Sequence, residues 1–214
     1  MIEVAIAGGH GKIGLMLGRL LVERGNAVWG LIRSPGQEDD LHAVGVEPVL
    51  CDLEADHDVA TAVRGADAVV FAAGAGPGSG AERKWTMDYG GALKLIEAAR
   101  AEGVGRYVMI SAMGAAEPPA EGGDVHGEYL RAKAEADKAL EASGLDYTIV
   151  RPGSLTDEPP TGRVEVGSRL DRGQIPRADV AAVLAAVLTA ENSIGKVFDL
   201  VSGETPIELA VAGL

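Results

Sequence analysis

A glycine-rich turn near the amino terminus constrains this chain more than any other feature. Gly8, Gly11 and Gly14 follow a short apolar segment at intervals of three residues, and an apolar-periodic run then extends to about residue 23. An apolar segment, a glycine turn and a periodic run, in that order, predict a strand, a tight loop and a helix. Glycine at such a turn reaches backbone angles that other residues reach only with strain.

The glycine spacing fits a site for a nucleotide diphosphate. In such turns one glycine lets the backbone approach the diphosphate, another lets the helix pack closely on the strand, and the helix start offers free N–H groups. The alternative is a glycine-rich connection without a ligand, because a chain with 30 glycines matches such a pattern easily. We predict a nucleotide-binding turn formed by Gly8, Gly9, His10, Gly11, Lys12, Ile13 and Gly14.

Strand-like and helix-like segments alternate along the whole chain. This alternation predicts an α/β fold, with a doubly wound parallel sheet and helices on both faces. A length of 214 residues suits one domain with a sizeable core, so we predict a single domain over residues 1–214. The predicted strands cover 2–7, 27–32, 47–50, 68–72, 106–110, 147–150 and 197–201; the predicted helices cover 12–24, 38–44, 57–63, 85–101, 129–142 and 178–188.

The segment 154–176 breaks this alternation. It carries several prolines and one possible short strand, at 163–166. Such a segment is too long for a plain connection between regular elements. We predict that it forms a lid or part of a substrate pocket at the carboxyl ends of the strands, where open α/β sheets bind their ligands.

The composition limits the classes of binding partner and the cell compartment that we expect for this protein. A formal net charge of −13 disfavours nucleic acid and anionic membranes as partners. The single cysteine, Cys51, excludes an internal disulfide and suits a reducing compartment, and we see neither a signal peptide nor a membrane-spanning run. We therefore expect a cytoplasmic protein with a small-molecule substrate. No spacing of His, Cys and Asp indicates a metal site, and the oligomeric state stays open.

The end of the second predicted strand bears on the choice of cofactor. An acidic residue there would accept a hydrogen bond from the ribose 2′-hydroxyl of NAD, whereas a basic residue accommodates the 2′-phosphate of NADP. This chain has Arg33 and Ser34 at that point and no carboxylate. A guanidinium matches the geometry of a phosphate, so we predict NADP(H) in preference to NAD(H). The alternative is that Arg33 is an ordinary surface charge.

Two further strand ends offer cofactor contacts. Asp52 follows the third predicted strand, where a carboxylate would reach the adenine amine or would instead cap the next helix. The small residues Ala72, Ala73 and Gly74 end the fourth strand and leave room for a cofactor to cross the sheet edge. Lys12 is either a second phosphate contact or a solvated side chain.

Three residues further along the chain suggest acid–base chemistry. Ser111 ends the fifth predicted strand, and Tyr129 and Lys133 lie at positions i and i+4 near the start of the next helix, on one face. A neighbouring ammonium stabilises a phenolate and lowers the phenol pKa towards the working range. A serine hydroxyl would hold the substrate oxygen while the tyrosine exchanges its proton. The Tyr-x-x-x-Lys spacing alone is a frequent coincidence.

The chain resembles the atypical or extended short-chain dehydrogenases/reductases, a family of Rossmann-fold NAD(P)-binding proteins, and is most similar to their small NAD(P)-binding subgroup. The resemblance covers nearly the whole chain. It is carried by the glycine turn and by the segments Leu31-Ile32-Arg33, Cys51-Asp52-Leu53, Phe71-Ala72-Ala73-Gly74, Asp88-Tyr89-Gly90-Gly91, Ile110-Ser111-Ala112-Met113, Tyr129-Leu130-Arg131-Ala132-Lys133 and Asp146-Tyr147-Thr148-Ile149-Val150-Arg151-Pro152-Gly153.

This resemblance implies a function and the residues that perform it. It implies an NADP-dependent oxidoreductase acting on a small carbonyl compound, with Ser111, Tyr129 and Lys133 as the catalytic set. It assigns Gly8, Gly11 and Gly14 to the diphosphate, Arg33 to the 2′-phosphate, Asp52 and Leu53 to the adenine side, Lys133 also to the nicotinamide ribose, and Pro152 and Gly153 to the nicotinamide end. The alternatives are an NADP-binding redox sensor without turnover and a nucleotide-sugar epimerase, which the short region 154–214 disfavours.

Overall fold

The computed structural model of the protein describes residues 1–55, 58–76, 78–120 and 124–214. In these residues the chain forms one nine-stranded sheet and one two-stranded sheet. The strands are β1 (Glu3–Ala7), β2 (Ala27–Ile32), β3 (Glu47–Leu50), β4 (Ala68–Phe71), β5 (Arg106–Ile110), β6 (Asp146–Pro152), β7 (Ser154–Thr156), β8 (Arg163–Gly167), β9 (Gln174–Pro176), β10 (Lys196–Ser202) and β11 (Thr205–Pro206).

The large sheet has the strand order β11-β8-β10-β6-β5-β4-β1-β2-β3. Every pairing from β3 across to β10 is parallel, whereas β8 runs antiparallel to β10 and β11 antiparallel to β8. The chain order reverses between β1 and β4, which is the switch point at which Rossmann folds bind their ligands. The predicted α/β fold with a doubly wound, mainly parallel sheet is confirmed.

Helices cover both faces of the sheet because alternate strand residues point to opposite sides. Val4 and Ile6 of β1 belong to one apolar cluster, and Ala5 and Ala7 belong to another. The first cluster includes Leu17 of α1 and residues of α6, and the second includes residues of α4 and α5. The helices are α1 (Lys12–Glu23), α2 (Glu38–His42), α3 (Ala81–Arg83), α4 (Ala92–Ala101), α5 (Val125–Glu141), α6 (Arg177–Val187) and α7 (Ile207–Ala212).

No helix within these described ranges is both long enough and apolar enough to cross a membrane.

The predicted regular helix over 85–101 is wrong in its first half. A short α3 leads into a π-helix over Lys84–Gly91, and only then does α4 begin at Ala92. π-Helical turns are rare and are frequent at functional sites. The apolar periodicity that suggested one long helix is local, so it did not reveal the wider turn that places Lys84 and Asp88 towards the interior.

Two other predicted helices also begin elsewhere. The helix containing Tyr129 begins four residues earlier, at Val125, because the Asp124 side chain accepts a hydrogen bond from Gly127 N at 2.8 Å and caps the helix. The predicted helix over 57–63 is a 3₁₀ turn over Ala60–Val63, and residue 57 lies outside the described residues.

The segment 154–176 is more regular than we expected. β8 joins the large sheet, and β7 pairs with β9 in parallel. The predicted short strand at 163–166 is confirmed by β8, whereas β7 and β9 were not predicted, because the prolines that suggested loops stand between and at the ends of these short strands. The prediction that this segment forms a lid or pocket wall concerns function and stays a prediction.

Candidate active site

The predicted glycine turn connects β1 to α1 at the carboxyl edge of the sheet. Gly8 has a φ of +80°, and a Cβ atom there would lie 2.7 Å from the backbone nitrogen of Ala73. A Cβ atom on Gly14 would collide with the carbonyl oxygen of Gly8. A side chain at either position would push the turn away from the sheet or the helix, so the close packing requires both glycines.

The start of α1 fits a phosphate group. Gly11 is the residue before the first turn of α1, and no side chain of the described residues caps that turn. The first N–H groups of the helix are therefore available to a ligand, and the helix dipole favours negative charge there. The residues present fit the diphosphate of a dinucleotide.

A cavity of about 300 Å³ opens beside the glycine turn, and we call it the small cavity. The predicted cofactor residues that line it are Gly8, His10, Gly11, Arg33, Asp52, Leu53, Ala72, Ala73 and Gly74. The Arg33 side chain has no ion pair with any described carboxylate, and its charge contributes to a lowered pKa of Glu54. The larger cause of that lowered pKa is the hydrogen bond from Arg83.

His10 links the glycine turn to the segment that follows β2. Its Nε2 atom lies 2.7 Å from the Asp40 carboxylate, and its Nδ1 atom lies 3.1 Å from the amide nitrogen of Gln37. Gln37 also accepts a hydrogen bond from the backbone N–H of Arg33 at 3.2 Å. The contacts of Gln37 therefore fix the turn and the Arg33 backbone relative to each other on one wall of the small cavity.

Four predicted cofactor residues do not line either cavity described here: Gly9, Lys12, Gly14 and Ser34. Gly9 is buried, and a Cβ atom on it would lie 2.6 Å from Gly30 Cα, so this glycine serves the packing of the turn on β2. Lys12 Nζ lies 2.6 Å from Asp157, which also binds Arg177. The Lys12 hydrogen bond is the first cause of the lowered pKa of Asp157.

A second cavity of about 1340 Å³, the large cavity, lies at the same sheet edge. It shares the wall formed by residues 72–76 with the small cavity, so one elongated ligand could occupy both. It brings together the catalytic candidates Ser111, Tyr129 and Lys133 and the predicted cofactor residues Ile13, Pro152 and Gly153. Part of segment 154–176 also lines it, including Leu155 and Arg172.

Tyr129 and Lys133 lie on the cavity side of α5, as their spacing predicted. The Lys133 Nζ atom is 6.0 Å from the centre of the Tyr129 ring. Burial raises the pKa of Tyr129, and the Lys133 charge lowers it only in part. Our expectation that the ammonium brings this pKa towards neutrality is therefore wrong, because removal of water from the phenol outweighs the nearby charge.

Lys133 is held by two buried partners. Its Nζ atom donates to the Ile110 carbonyl oxygen at 3.0 Å and lies 3.3 Å from Asp88 Oδ1. Asp88 Oδ2 in turn accepts a hydrogen bond from the backbone N–H of Ala75 at 3.2 Å. Asp88 therefore connects the lysine of α5 to the loop after β4 that separates the two cavities.

The Ser111 hydroxyl is buried at the wall of the large cavity, and its role as a substrate contact stays a prediction. It is fully buried and makes no hydrogen bond of normal geometry with the described residues, although it lies close enough to Asp137 to lower the pKa of that carboxyl. Burial is the larger effect and raises the pKa of Asp137, which receives two 2.8 Å contacts from Arg151.

Sequence reasoning assigned no site role to Gln37, Cys51 and Met87 of the small cavity or to Asp88 of the large cavity, whereas Gly76, Arg83 and Lys84 lie in the irregular segment 75–84, which we expected to line the substrate pocket. The resemblance included Asp88 in a matching segment without giving it a role. The adjacent cations Arg83 and Lys84 directly after a glycine-rich loop were a usable signal, because such a loop at a strand end leads into the ligand edge of the sheet.

Comparison with known proteins agrees with this geometry. A family model described as NAD(P)H-binding matches residues 8–191. The chain belongs to this NAD(P)H-binding family. The match begins at Gly8, the first glycine of the turn, and extends beyond α6. The resemblance to short-chain dehydrogenases/reductases is confirmed as a shared NAD(P)-binding Rossmann fold with reductases among the structural neighbours.

Three relatives of this NAD(P)H-binding protein illustrate the range of names in the family. YhfK of Bacillus subtilis, named an uncharacterised sugar epimerase, is 40% identical over 214 residues, covering 99% of this chain and 100% of YhfK. The structure of the oxidoreductase ylbE from Lactococcus lactis has a TM-score of 0.87 at 28% identity, covering 100% of this chain and 96% of ylbE. The structure of ChuY, an anaerobilin reductase of Escherichia coli O157:H7, has a TM-score of 0.79 at 26% identity, covering 94% of this chain and 97% of ChuY.

Proposed function

We propose that this protein is an NADP(H)-dependent oxidoreductase that reduces a small carbonyl compound. The observation that carries the proposal is the placement of Tyr129 and Lys133 in a large cavity that adjoins, along residues 72–76, the cavity beside the glycine turn. A dinucleotide held at the turn would thus present its far end to a phenol that is able to exchange a proton.

Arg33 supports the proposed preference for NADP(H) over NAD(H). Its guanidinium lines the small cavity at the end of β2 and has no ion pair with a described carboxylate. A 2′-phosphate would offer this exposed guanidinium a negative charge, and a guanidinium binds phosphate through paired hydrogen bonds. Asp40, on the segment that follows β2, is engaged by His10, and Glu54 is engaged by Arg83.

Two residues of the large cavity, Tyr129 and Lys133, would have different roles in proton transfer. Tyr129 would give its proton to the substrate oxygen, and its raised pKa means that it carries that proton at neutral pH. Lys133, held by Asp88 and the Ile110 carbonyl, would stabilise the phenolate that remains. The bound nicotinamide would supply the hydride. A substrate of small size would fit beside Tyr129 in the remaining volume of the cavity.

The test is the oxidation of NADPH, followed at 340 nm, with a panel of aldehydes, ketones and quinones. We expect turnover by the wild type and none by Tyr129→Phe, whose dissociation constant for NADPH should stay within about twofold of the wild-type value because the phenol acts in the reaction step. Calorimetry supplies those dissociation constants. Unchanged turnover by Tyr129→Phe would contradict the assigned role.

The name of YhfK, a relative 40% identical, favours a sugar epimerase as the second candidate. An epimerase returns the hydride to its substrate, so it shows no net oxidation of NADPH, but it interconverts two sugar stereoisomers. A sensor is the third candidate; it would bind NADPH without either reaction. Chromatography of nucleotide sugars after incubation with the protein and cofactor detects an epimerase, and the oxidation of NADPH at 340 nm separates a reductase from a sensor.

A further inference from the structure

Lys84 is a buried cation that the proposed reaction does not use. It is the first residue of the π-helix, its side chain is 9% exposed, and it lines the large cavity. Its Nζ atom donates to the Gly76 carbonyl oxygen at 3.0 Å and lies 5.5 Å from the centre of the Tyr129 ring. Lys84 therefore lies next to the phenol assigned to proton exchange.

Within the described residues, the contacts of Lys84 include no counter-ion for its charge. None of the described carboxylates lies within ion-pair distance of its Nζ atom, and one carbonyl satisfies only one of its three donors. The Tyr129 ring compensates a further part of the charge. The other buried lysine of the cavity, Lys133, has Asp88 at 3.3 Å. Because burying an unpaired charge is costly, the surroundings of Lys84 favour an anion as a ligand.

In the rest of the large cavity, positively charged lining side chains also outnumber carboxylates. Of the carboxylates that line it, Asp88 pairs with Lys133, Glu117 pairs with Arg169, and Asp199 accepts from the Leu170 N–H. Arg172 is exposed at the rim and has no acidic partner in the described part of the chain. Among the described residues, Lys84, Arg172 and the carboxylate Asp199 are thus left without an oppositely charged partner, and the five cationic side chains that line the cavity outnumber its three carboxylates in a chain with a net charge of −13. Such a cavity attracts anionic ligands.

We propose that Lys84 is the anion-binding residue of the large cavity and that the substrate is a carbonyl compound with a carboxylate or phosphate group close to the carbonyl. This inference rests on the proposed reductase function. The acid group would contact Lys84 Nζ, and the carbonyl oxygen would face Tyr129. In the reaction the carbonyl carbon accepts a hydride from NADPH and the oxygen accepts the Tyr129 proton, giving the alcohol and NADP⁺; Tyr129 then regains a proton from solvent.

The experiment compares matched pairs of probes that differ in charge. Benzoylformate has a carboxylate beside its ketone, and its methyl ester has the same ketone without that charge. Dihydroxyacetone phosphate and dihydroxyacetone likewise share a ketone and differ in the phosphate. We expect wild-type kcat/KM to be about tenfold or more higher for the anionic member of at least one pair, as expected for one charged hydrogen bond. The pair that shows the preference identifies the acid group.

Variants assign that preference to Lys84. Lys84→Met should abolish the preference, and Lys84→Arg should retain part of it because the charge is kept. Lys138→Met is the matched control, because Lys138 is exposed on α5, pairs with Glu135 and does not line the cavity. An equal loss on charged and neutral probes in Lys84→Met would overturn the proposal, since Lys84 would then act only on Tyr129. Weaker NADPH binding by Lys84→Met would also overturn it.

A second readout separates this inference from the proposed function. If no probe is reduced, the proposed reductase function is wrong. Calorimetry of the NADP⁺-loaded protein with benzoylformate and with dihydroxyacetone phosphate then shows whether Lys84 binds an anion. Binding of either anion that is lost in Lys84→Met and kept in Lys138→Met would still support the anion site. Absence of binding for both anions would overturn it.

Discussion

Asp88 and Lys133 form a buried ion pair, with Oδ1 and Nζ 3.3 Å apart, that connects the π-helix to α5. Both side chains are almost completely removed from solvent. Asp88 also accepts from the Ala75 N–H, so a single carboxylate orients the lysine and the loop between the two cavities. The pair therefore serves the shape of the site as well as its charge.

We expect Asp88→Asn to lower the free energy of unfolding by about 3 kcal/mol, because Lys133 would stay buried without its counter-ion. Urea unfolding at pH 7, followed by circular dichroism, measures the change. Glu97→Gln on the exposed side of α4 removes one negative charge in the same way and should change stability by less than about 0.5 kcal/mol. Similar values for the two variants would contradict a structural role for the pair.

The phenol of Tyr129 should ionise only above its ordinary pKa of about 10, because burial raises the pKa in the folded protein. Ultraviolet difference spectra of the wild type minus Tyr129→Phe report this titration. Lys133→Met should move the pKa higher still, because the Lys133 charge is the influence that lowers it. Lys138→Met, which removes an exposed charge from the same helix, should leave the titration unchanged.

The same raised pKa has a consequence for stability in alkaline solution. The folded protein holds the Tyr129 proton more tightly than the unfolded chain does, so its contribution to stability is complete below about pH 10 and is lost as the pH rises through the folded pKa. Urea unfolding at pH 9 and pH 11 should therefore show a smaller alkaline loss in Tyr129→Phe than in the wild type. An equal loss would mean that the phenol is not buried in solution.

Arg33→Gln should weaken NADPH binding by about tenfold or more and leave NADH binding within about twofold, because only NADPH carries the 2′-phosphate. Calorimetric titration with both cofactors measures the two affinities. Arg19→Gln is the matched control, since Arg19 is an exposed arginine of α1 that does not line the small cavity. A similar loss for both cofactors would assign Arg33 to a feature that they share.

Gly14→Ala should destabilise the protein by about 2 kcal/mol, because its methyl group would collide with the Gly8 carbonyl oxygen and separate α1 from the turn. The same displacement should weaken binding of NADPH and NADH alike. Gly105→Ala offers a control, since a Cβ atom there meets nothing within 4 Å. Thermal unfolding with and without cofactor measures both effects, and a Gly14→Ala variant as stable as Gly105→Ala would contradict the packing argument.

Local sequence patterns predicted much of the fold and the cofactor side of the site. The strands over 27–32, 47–50 and 106–110 match the structure residue for residue. Short apolar runs between turn residues specify the buried strands β2 and β5, whereas β3 is a partly exposed edge strand. The glycine spacing predicted the turn, the position of Arg33 at a strand end placed it in the small cavity, and the i, i+4 spacing placed Tyr129 and Lys133 on one face of α5.

Only the tertiary structure decided the electrostatics of the large cavity. Lys84 lies beside Tyr129 although 45 positions separate them in the chain, and Lys12 pairs with Asp157, which is 145 positions away. Periodicity is a local property, so it carries no information about which distant side chains meet. Burial is likewise a property of the packed chain, and it reversed the expected pKa shift of Tyr129 and hid the Ser111 hydroxyl. The sequence by itself determined where a nucleotide could be held, and the packing of distant elements determined the charges that surround the reacting groups.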